Sequence, residues 1–388
     1  MQVLDLPYLA ELTALRRDLH AHPETAFHET RTAQVVAKEL AAYGLEVHQG
    51  LAKTGVVGVL RRGSADRAIA LRADMDALPL AEHNDFPHRS RHEGRMHACG
   101  HDGHTAMLLG AARWLAERGR FDGTLVFVFQ PAEEEDNGAA VMIQDGLFER
   151  FPVSRVFGLH NWPGLPLGHM AVHDGPVMAG TCVFRITVEG HGAHAAMPQE
   201  GRDPVVAASQ LVLALQTIVS RNLDPLEAGV VSVTQIHGGT TSNIIPDRVV
   251  LEGTLRSFKP EVQARLEEGL ERLCNGVAAS YGVQVRVSYD ERIPATVNAP
   301  AETALCRRVA RALCGAGAVA ERPAPSLAAE DFAFILQAKP GCYVWLGNGP
   351  GEGGCTLHNP RYDFNDQSLA LGVSYWVALA EAALEPQA

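Results

Sequence analysis

The sequence predicts an α/β protein whose main domain is discontinuous, because a smaller α+β domain interrupts it. Three observations support this fold class. Helix and strand patterns alternate along residues 1–178, the order changes to β-α-β-β-α-β along residues 179–291, and the first pattern returns along residues 292–388. A chain of 388 residues has room for two or three domains of ordinary size.

The alternation in the outer segments indicates a mainly parallel central sheet. The run Thr124–Phe129 is continuously apolar, which is typical of a strand buried on both faces. Before the insert, the predicted elements are helices Leu6–Leu19 and Arg31–Tyr43, strands Val56–Leu60 and Ala68–Leu71, helix Gly103–Glu117, strand Thr124–Phe129, helix Gly138–Phe148 and strand Arg155–Leu159. After the insert come helix Ala301–Cys314, strand Cys342–Leu346 and helix Gln367–Leu384.

The insert has the element order of a ferredoxin-like domain. Two long helices are separated by a pair of strands, and the second helix has proline in its first turn. The predicted elements are strand Thr181–Val188, helix Pro204–Asn222, strands Gly229–Ile236 and Arg248–Phe258, helix Pro260–Tyr281 and strand Val283–Tyr289.

Composition excludes several classes of function. The net charge is −12 and no basic run exceeds a pair such as Arg16-Arg17, which argues against nucleic-acid binding. No stretch of about 18 apolar residues is present, so we expect no transmembrane helix and no membrane partner. The amino terminus has no signal-peptide pattern. Seven cysteines without regular spacing favour reduced thiols and a cytoplasmic protein.

Histidine density gives the first functional signal, because six of the 17 histidines fall between His83 and His104. In the segment MHACGHDGH, residues 96–104, Cys99 and His101 lie just before a predicted helix. Thiolate and imidazole are ligands for zinc and similar divalent metals. A polar loop with a buried cysteine is the alternative interpretation.

Three adjacent carboxylates follow the apolar strand in FQPAEEEDNG, residues 129–138. Glu133, Glu134 and Glu135 repel one another, so we expect either a compensating cation or full solvation. One glutamate could then bind a metal while its neighbour acts as a general base.

Two further histidines stand after apolar residues. His160 ends a strand in VFGLHNWPG, and His358 lies in GCTLHNPRYDF together with Cys355, which we expect to take no part in metal binding. Asp74 and Asp76 follow another strand and could orient ligand imidazoles, or could simply form a turn.

Taken together, these segments resemble the aminoacylase and carboxypeptidase family of dinuclear metal hydrolases. Within it they are most similar to hippurate hydrolases, bacterial N-acyl-amino-acid amidohydrolases and plant auxin-conjugate hydrolases. The resemblance runs in order along nearly the whole chain, through RRDLHAHPE (16–24), LRADMDALP (71–79), MHACGHDGHTAMLLG (96–110), FQPAEE (129–134), GLHNWPG (158–164), GHGAHAAMP (190–198), TSNIIPD (241–247), AEDFAF (329–334) and LHNPRYDFND (357–366).

The resemblance implies a role for each matching position. It makes the insert a lid and dimerisation domain, Glu133 the general base, and Asn243 and Arg256 lid residues that hold substrate. It implies that His194 of the lid reaches the active site of a partner subunit in a homodimer. The implied ligands of two divalent metal ions (Zn, Mn or Co) are Cys99, His101, Glu134, His160 and His358.

The expected activity is hydrolysis of a small-molecule N-acyl-L-amino acid, such as a hippurate-like or N-acetyl compound, to a carboxylic acid and a free amino acid. One departure complicates the choice of base, because Glu135 and Asp136 stand where relatives usually have glycine. Three alternatives remain: a dipeptidase or aminopeptidase of the same superfamily, a biosynthetic N-acetyl deacetylase, and a non-catalytic metal-stabilised dimer module.

Overall fold

The structure divides the chain into two compact units. It is a computed structural model that describes residues 2–350 and 355–386. The main unit comprises Met1–Val177, Val297–Ala324 and Asp331–Ala388, and the inserted unit comprises Met178–Thr296 and Pro325–Glu330.

Helices and strands alternate through most of the described chain. The helices are α1 (Leu9–Ala21), α2 (Thr30–Ala42), α3 (His101–Arg118), α4 (Gly138–Gln144), α5 (Leu147–Arg150), α6 (Pro204–Thr217), α7 (Pro260–Tyr281), α8 (Pro300–Cys314), α9 (Phe332–Ala338) and α10 (Leu369–Ala383). The strands are β1 (Glu46–Leu51), β2 (Gly55–Arg62), β3 (Ala68–Asp74), β4 (Gly123–Gln130), β5 (Arg155–Trp162), β6 (Met170–Val172), β7 (Pro176–Met178), β8 (Gly180–Glu189), β9 (Ala193–His194), β10 (Gly229–Gly238), β11 (Ile244–Ile245), β12 (Arg248–Ser257), β13 (Gln284–Ile293), β14 (Thr296–Val297), β15 (Val319–Ala320) and β16 (Gly341–Gly347).

The main unit is built on a sheet of eight strands in the order β1-β2-β4-β3-β5-β16-β6-β15. The four central strands β4, β3, β5 and β16 are mutually parallel, which confirms the predicted central sheet. Strands β1 and β2 extend one side in antiparallel pairing, and β6 is antiparallel to β16. The central strands are almost entirely buried, since helices cover a parallel sheet on both faces.

Two apolar helices form much of the main core. Helix α10 is buried around nearly its whole circumference, and α3 packs against it. The contact is close because Gly372 of α10 faces Met107 of α3, where an added Cβ would lie 1.9 Å from the sulfur. This packing fixes α3, whose first residue is His101.

The inserted unit has the predicted ferredoxin-like architecture. Its antiparallel sheet has the strand order β10-β12-β8-β13, and α6 and α7 bury their apolar faces against it. Additional short strands β9 and β11 pair with each other, so that His194 lies opposite Ile244.

One helical run in the described chain, Pro204–Asn222, is long and apolar enough to cross a membrane by length and composition. From the sequence we expected no such helix. A single helix of this kind is weak support for a membrane span, because core helices pass the same test. Its inner face, including Leu211 and Leu215, belongs to the core of the inserted unit.

Candidate active site

The candidate site of the main unit forms where several strands end. Strand β3 ends at Asp74, and β4 ends at Gln130 just before the Glu133-Glu134 pair. His160 lies near the end of β5, and its register partner in β16 is Trp345. Because these strands are parallel, their carboxyl ends meet at one edge of the sheet, where ligands bind in open α/β proteins.

The structure brings all five predicted metal ligands together. The Cys99 Sγ lies 3.3 Å from His160 Nε2, and the His358 Nε2 lies 3.3 Å from an oxygen of Glu134. Three groups each place one ligand atom per residue within 4.8 Å of the others: Cys99 with His101 and His160, Cys99 with Glu134 and His358, and His101 with Glu133 and Glu134. Cys99, His101 and Glu134 each belong to two of these three groups, which links the five ligands into one cluster.

Asp76 connects two of these ligands. One of its oxygens lies 3.2 Å from His101 Nδ1, and the other accepts the Glu134 backbone N–H at 3.0 Å. Asp74 approaches His101 Nε2 only to 3.8 Å and instead contacts His104 Nδ1 at 2.5 Å. Asp76 thus lies within hydrogen-bond distance of the predicted ligand His101, whereas Asp74 contacts His104, which is not a predicted ligand. The expected role of the two carboxylates in orienting ligand imidazoles stays a prediction.

His358 occupies a strained backbone position. Its φ of 62° lies in the left-handed region, which non-glycine residues seldom adopt. The backbone N–H of His358 donates to the carbonyl of Ala98 at 2.8 Å, next to Cys99. This hydrogen bond ties the His358 loop to the segment that carries two other ligands. Cys355 belongs to none of the candidate metal groups found among the described residues.

The donor set fits a divalent metal. It combines sulfur, nitrogen and oxygen atoms, which together suit zinc and similar ions. His101 Nε2 and Glu134 Oε1 are buried and have no hydrogen-bond partner among the described residues. A buried polar atom without a partner costs free energy, and a cation between them would remove that cost.

The electrostatics of the site also favour a cation. Burial raises the pKa of Cys99, and the carboxylates of Glu134 and Glu133 raise it further, to well above its ordinary value. Burial lowers the pKa of His101, but Asp74 and Asp76 outweigh burial and raise it to about 10. Burial and neighbouring imidazoles hold the pKa of His160 well below its ordinary value. Excess negative charge thus surrounds Cys99 and His101.

Glu133 lies beside the predicted ligands, with a nearly buried side chain. One of its oxygens lies 4.0 Å from His101 Nε2, and the other accepts the Asp331 backbone N–H at 3.4 Å. Glu133 therefore points into the same cluster as Glu134, so its place beside the ligands is compatible with a base.

The turn after Glu134 contains two residues with positive φ. Asp136 and Asn137 have φ of 66° and 52°, and both residue types tolerate the left-handed region better than others do. The side chains of Glu135 and Asp136 are exposed. Glu135 and Asp136 therefore add two carboxylates to the surface beside the candidate site.

The three predicted lid residues do not lie together within the inserted unit. The Asn243 carbonyl accepts the N–H of Ala195, the residue after His194, so Asn243 and His194 are neighbours. They lie near the start of β12, since the side chain of Asp247 accepts the Gly192 N–H. Arg256 lies eight residues beyond Arg248 along that strand, or about 26 Å at the usual rise.

Sequence reasoning missed several polar residues that support the site. His104 Nε2 contacts Asn161, which is next to His160, and the Asn161 side chain contacts the Tyr362 hydroxyl. The spacing of His101 and His104, three residues apart on one helix, could have indicated the first of these. Four more buried residues form hydrogen bonds around residues 131–138, the segment called the Glu133 turn below: Glu29, Arg72, Gln130 and Asp331.

Known proteins are similar to this chain over most of its length. Residues 70–382 match peptidase family M20/M25/M40. Hippurate hydrolase of Campylobacter jejuni is 41% identical over 379 residues, which cover 98% of this chain and 97% of that protein. N-acetyl-L-cysteine deacetylase of Bacillus subtilis is 40% identical over 368 residues, which cover 95% of this chain and 86% of that protein.

A solved structure is similar over the same length. It is a dinuclear metal-binding peptidase of the M20 family from Bacillus subtilis, with a TM-score of 0.85 and 34% sequence identity. The match covers 98% of this chain and 99% of that one. On the family match and on relatives of this identity and coverage, the chain belongs to peptidase family M20/M25/M40.

Proposed function

We propose that this protein is a metal-dependent amidohydrolase that cleaves N-acyl-L-amino acids to a carboxylic acid and a free amino acid. The observation that carries the proposal is the cluster of sulfur, nitrogen and oxygen donors beside Glu133. The hippurate hydrolase and N-acetyl-L-cysteine deacetylase relatives support the amide substrate class.

Cys99, His101, Glu134, His160 and His358 would hold two divalent metal ions, of which Zn, Mn and Co are the candidates. The donor groups share Cys99, His101 and Glu134, so the five residues would hold the two ions in one connected cluster. Two such ions lower the pKa of water and polarise an acyl carbonyl.

The protein's own residues then move the protons and hold the substrate. Glu133 takes a proton from the attacking water and passes it to the nitrogen of the leaving amine. His194 donates a hydrogen bond to the oxyanion that develops on the acyl carbonyl. Arg256 pairs with the substrate carboxylate, which its planar guanidinium fits, and Asn243 contributes a further hydrogen bond.

We also propose that the inserted unit is a lid and that two chains form a homodimer through it. His194 and Asn243 lie far from Arg256 along β12, which supports the proposal that the two groups act in different active sites. In this proposal Arg256 serves the active site of its own chain, whereas His194 and Asn243 serve the partner's.

A substrate panel tests the proposed activity. The metal-loaded enzyme is assayed on N-acetyl, N-benzoyl and indole-acyl amino acids and on the matching dipeptides with free amino groups. We expect hydrolysis of the acylated compounds, loss of activity with a chelator, and recovery with Zn²⁺, Mn²⁺ or Co²⁺. Cleavage of the free dipeptides alone would instead identify a peptidase whose exposed Glu135 and Asp136 recognise the substrate amine.

A further inference from the structure

The turn that carries Glu133 and Glu134 begins with a strained residue. Ala132 is fully buried and has a φ of 55°, in the left-handed region that alanine disfavours. Both of its backbone polar groups are engaged: its N–H donates to Glu29 at 2.9 Å, and its carbonyl accepts the Gly138 N–H at 2.8 Å. The conformation of Ala132 sets the direction in which the next residue, Glu133, leaves the strand.

Glu29 joins three turns of this kind. Its Oε1 accepts the N–H of both Ala132 and Phe27, and Phe27 has a φ of 58°. Its Oε2 accepts the Thr54 hydroxyl at 2.6 Å, and the residue before Thr54, Lys53, has a φ of 68°. Strained backbone persists only where its surroundings hold it, and it concentrates at functional sites.

The position of Glu29 is not explained by its own helix. Glu29 is the residue before the first turn of α2, yet its side chain makes no capping hydrogen bond there. Glu24 does this instead, because its carboxylate accepts the N–H of Arg31 at 3.0 Å and that of Thr32 at 2.8 Å. The Glu29 carboxylate turns away from α2 and towards the Glu133 turn.

Keeping Glu29 in this place is costly. The side chain is fully buried, and burial raises its pKa to about 7 against the hydrogen bond from Thr54, which lowers it. An apolar side chain at such a position would favour folding more than a carboxyl group does, since a buried carboxyl group needs every one of its hydrogen bonds.

We propose that Glu29 is a positioning residue for the hydrolysis reaction, which fixes the backbone of Ala132 and so the direction of the Glu133 side chain. This role rests on the proposed function of Glu133 as the general base. Among the described residues, no hydrogen bond or ion pair joins the Glu29 side chain to a predicted metal ligand, and in this proposal it acts through its hydrogen bond to the Ala132 backbone.

The test compares two carboxylates that flank the start of α2. Glu29→Ala, Glu29→Gln and the control Glu24→Ala are prepared as metal-loaded enzymes, and kcat, KM, metal content and thermal midpoint are measured for each. Glu29→Ala is expected to lose about 10- to 100-fold in kcat, as small displacements of a reacting group do, with KM and metal content near wild type. Glu29→Gln keeps an acceptor oxygen, so its kcat should stay much closer to wild type than that of Glu29→Ala. Glu24→Ala should lower the thermal midpoint but leave kcat within about twofold, because it caps α2 without touching the turn.

Thr54→Val covers the case in which Glu29→Ala folds poorly, and a double variant tests the strain at Ala132 directly. Thr54→Val removes one hydrogen bond to Glu29 and should lower kcat in the same direction by a smaller factor. Adding Ala132→Gly to Glu29→Ala should recover part of the lost kcat, since glycine adopts positive φ without strain.

Amide hydrogen exchange separates this proposal from the proposed function. Glu29→Ala should speed exchange in the peptide that contains Ala132 and Glu133, whereas Glu24→Ala should not. If Glu133→Gln proves fully active while this exchange result holds, the base assignment fails and the role of Glu29 in holding Ala132 stands. Unchanged kcat and unchanged exchange in Glu29→Ala, or a loss of kcat that follows lost metal, would overturn the positioning role.

Discussion

Glu133 and Glu134 are adjacent in sequence, yet the contacts that the structure gives them differ. Glu134 contacts His358 through one oxygen and Asp76 through its backbone N–H, and its other oxygen has no hydrogen-bond partner among the described atoms but lies 3.9 Å from His101 Nε2. Glu133 contacts the Asp331 N–H. The first arrangement suits a metal ligand and the second suits a group that exchanges protons.

Glutamine substitutions test this division. Glu133→Gln preserves shape and removes the proton acceptor, so kcat should fall by at least about 10²-fold while metal content stays near wild type. Glu134→Gln should lose metal, since an amide is a weaker ligand than a carboxylate. Metal analysis and steady-state kinetics on both variants check the result. Loss of metal from Glu133→Gln and retention by Glu134→Gln would exchange the two roles.

Cys99 offers a second test at the scale of one residue. Its raised pKa means that a metal must displace a proton from the thiol, so affinity should increase with pH. Cys99→Ser should weaken the binding of at least one metal, measured by competition with a chelator at fixed pH. The control is Cys355→Ser, which should bind metal as wild type does. A reversal of these two results would show that the predicted ligand set is wrong.

The sequence revealed the metal donors more readily than the residues that hold them. Cysteine, histidine and glutamate in motifs such as MHACGH carry recognisable chemistry, so Cys99 and His101 could be named from the sequence. Glu29 lies 103 positions from Ala132, and nothing local distinguishes it from any surface glutamate. Its partner is a backbone N–H, which leaves no signal in residue type.

Between elements, a buried charge cluster joins α1 to the start of α3. His20 of α1 contacts Asp102 of α3 through Nδ1 at 2.9 Å and Glu82 through Nε2 at 3.2 Å. Arg16, one turn earlier on α1, lies 3.4 Å from Asp102. Burial lowers the pKa of His20, but the carboxylates outweigh burial and raise it to about 9. His20 is therefore a cation that holds the two helices together.

This pairing makes stability depend on pH. Below the ordinary histidine pKa of 6.5 both the folded and unfolded chains protonate His20, so its contribution is fully present. It is lost as the pH rises from 6.5 through about 9, by up to about 3 kcal/mol. The thermal midpoint of His20→Gln should therefore lie well below wild type at pH 6 and approach it near pH 9.

The matched control is His48→Gln, because His48 pairs with Glu46 at a partly exposed site. That variant should stay close to wild type throughout the range. A difference between His20→Gln and wild type that does not change with pH would exclude the ionic explanation.

Helix and strand limits were predictable where the end signals are strong. Helix α7 matches its predicted bounds, with proline at its start and Gly282 at φ 64° after its end. The predicted helix Pro204–Asn222 instead changes at Ile218, where five residues form a π-helical turn. Strand β1 was missed because half of it is exposed and its sequence, EVHQGL, has no continuous apolar run. Hydrophobic periodicity thus located the long buried elements and missed the polar strand β1 as well as short elements such as β6 and α9.

At the scale of the whole molecule, exposed apolar side chains are concentrated in the inserted unit. Among the described residues, nine of the eleven large exposed ones lie within its bounds: Met197, Val205, Val206, Leu213, Leu226, Ile236, Ile244, Tyr281 and Leu327. Strands β10 and β13 are the edges of its sheet. Apolar surface and open edges are features that an interface between subunits buries, which supports the proposed dimer.

If His194 of each chain acts in the active site of its partner, two inactive variants should restore activity when they form mixed dimers. His194 is exposed, and among the described residues its ring makes one hydrogen bond, in which Nδ1 accepts the N–H of Ala196, so His194→Ala should keep fold and metal while losing kcat. Glu133→Gln should also be inactive, because it lacks the general base. When the two variants exchange subunits at random, half of the dimers are mixed, and one site in each mixed dimer has both an intact base and an intact donor. The mixture should therefore recover about one quarter of wild-type activity in a two-fold dimer.

Mass measurement of the mixed dimer is the control for exchange, because inactive mixtures are informative only when mixed dimers are present. Confirmed exchange without recovered activity would place His194 in its own chain's site or outside catalysis. A fully active monomer would remove the need for a partner altogether. Recovery of activity has no other source, since neither variant alone contains a complete site, and it would show that each active site draws its base from one chain and its oxyanion donor from the other.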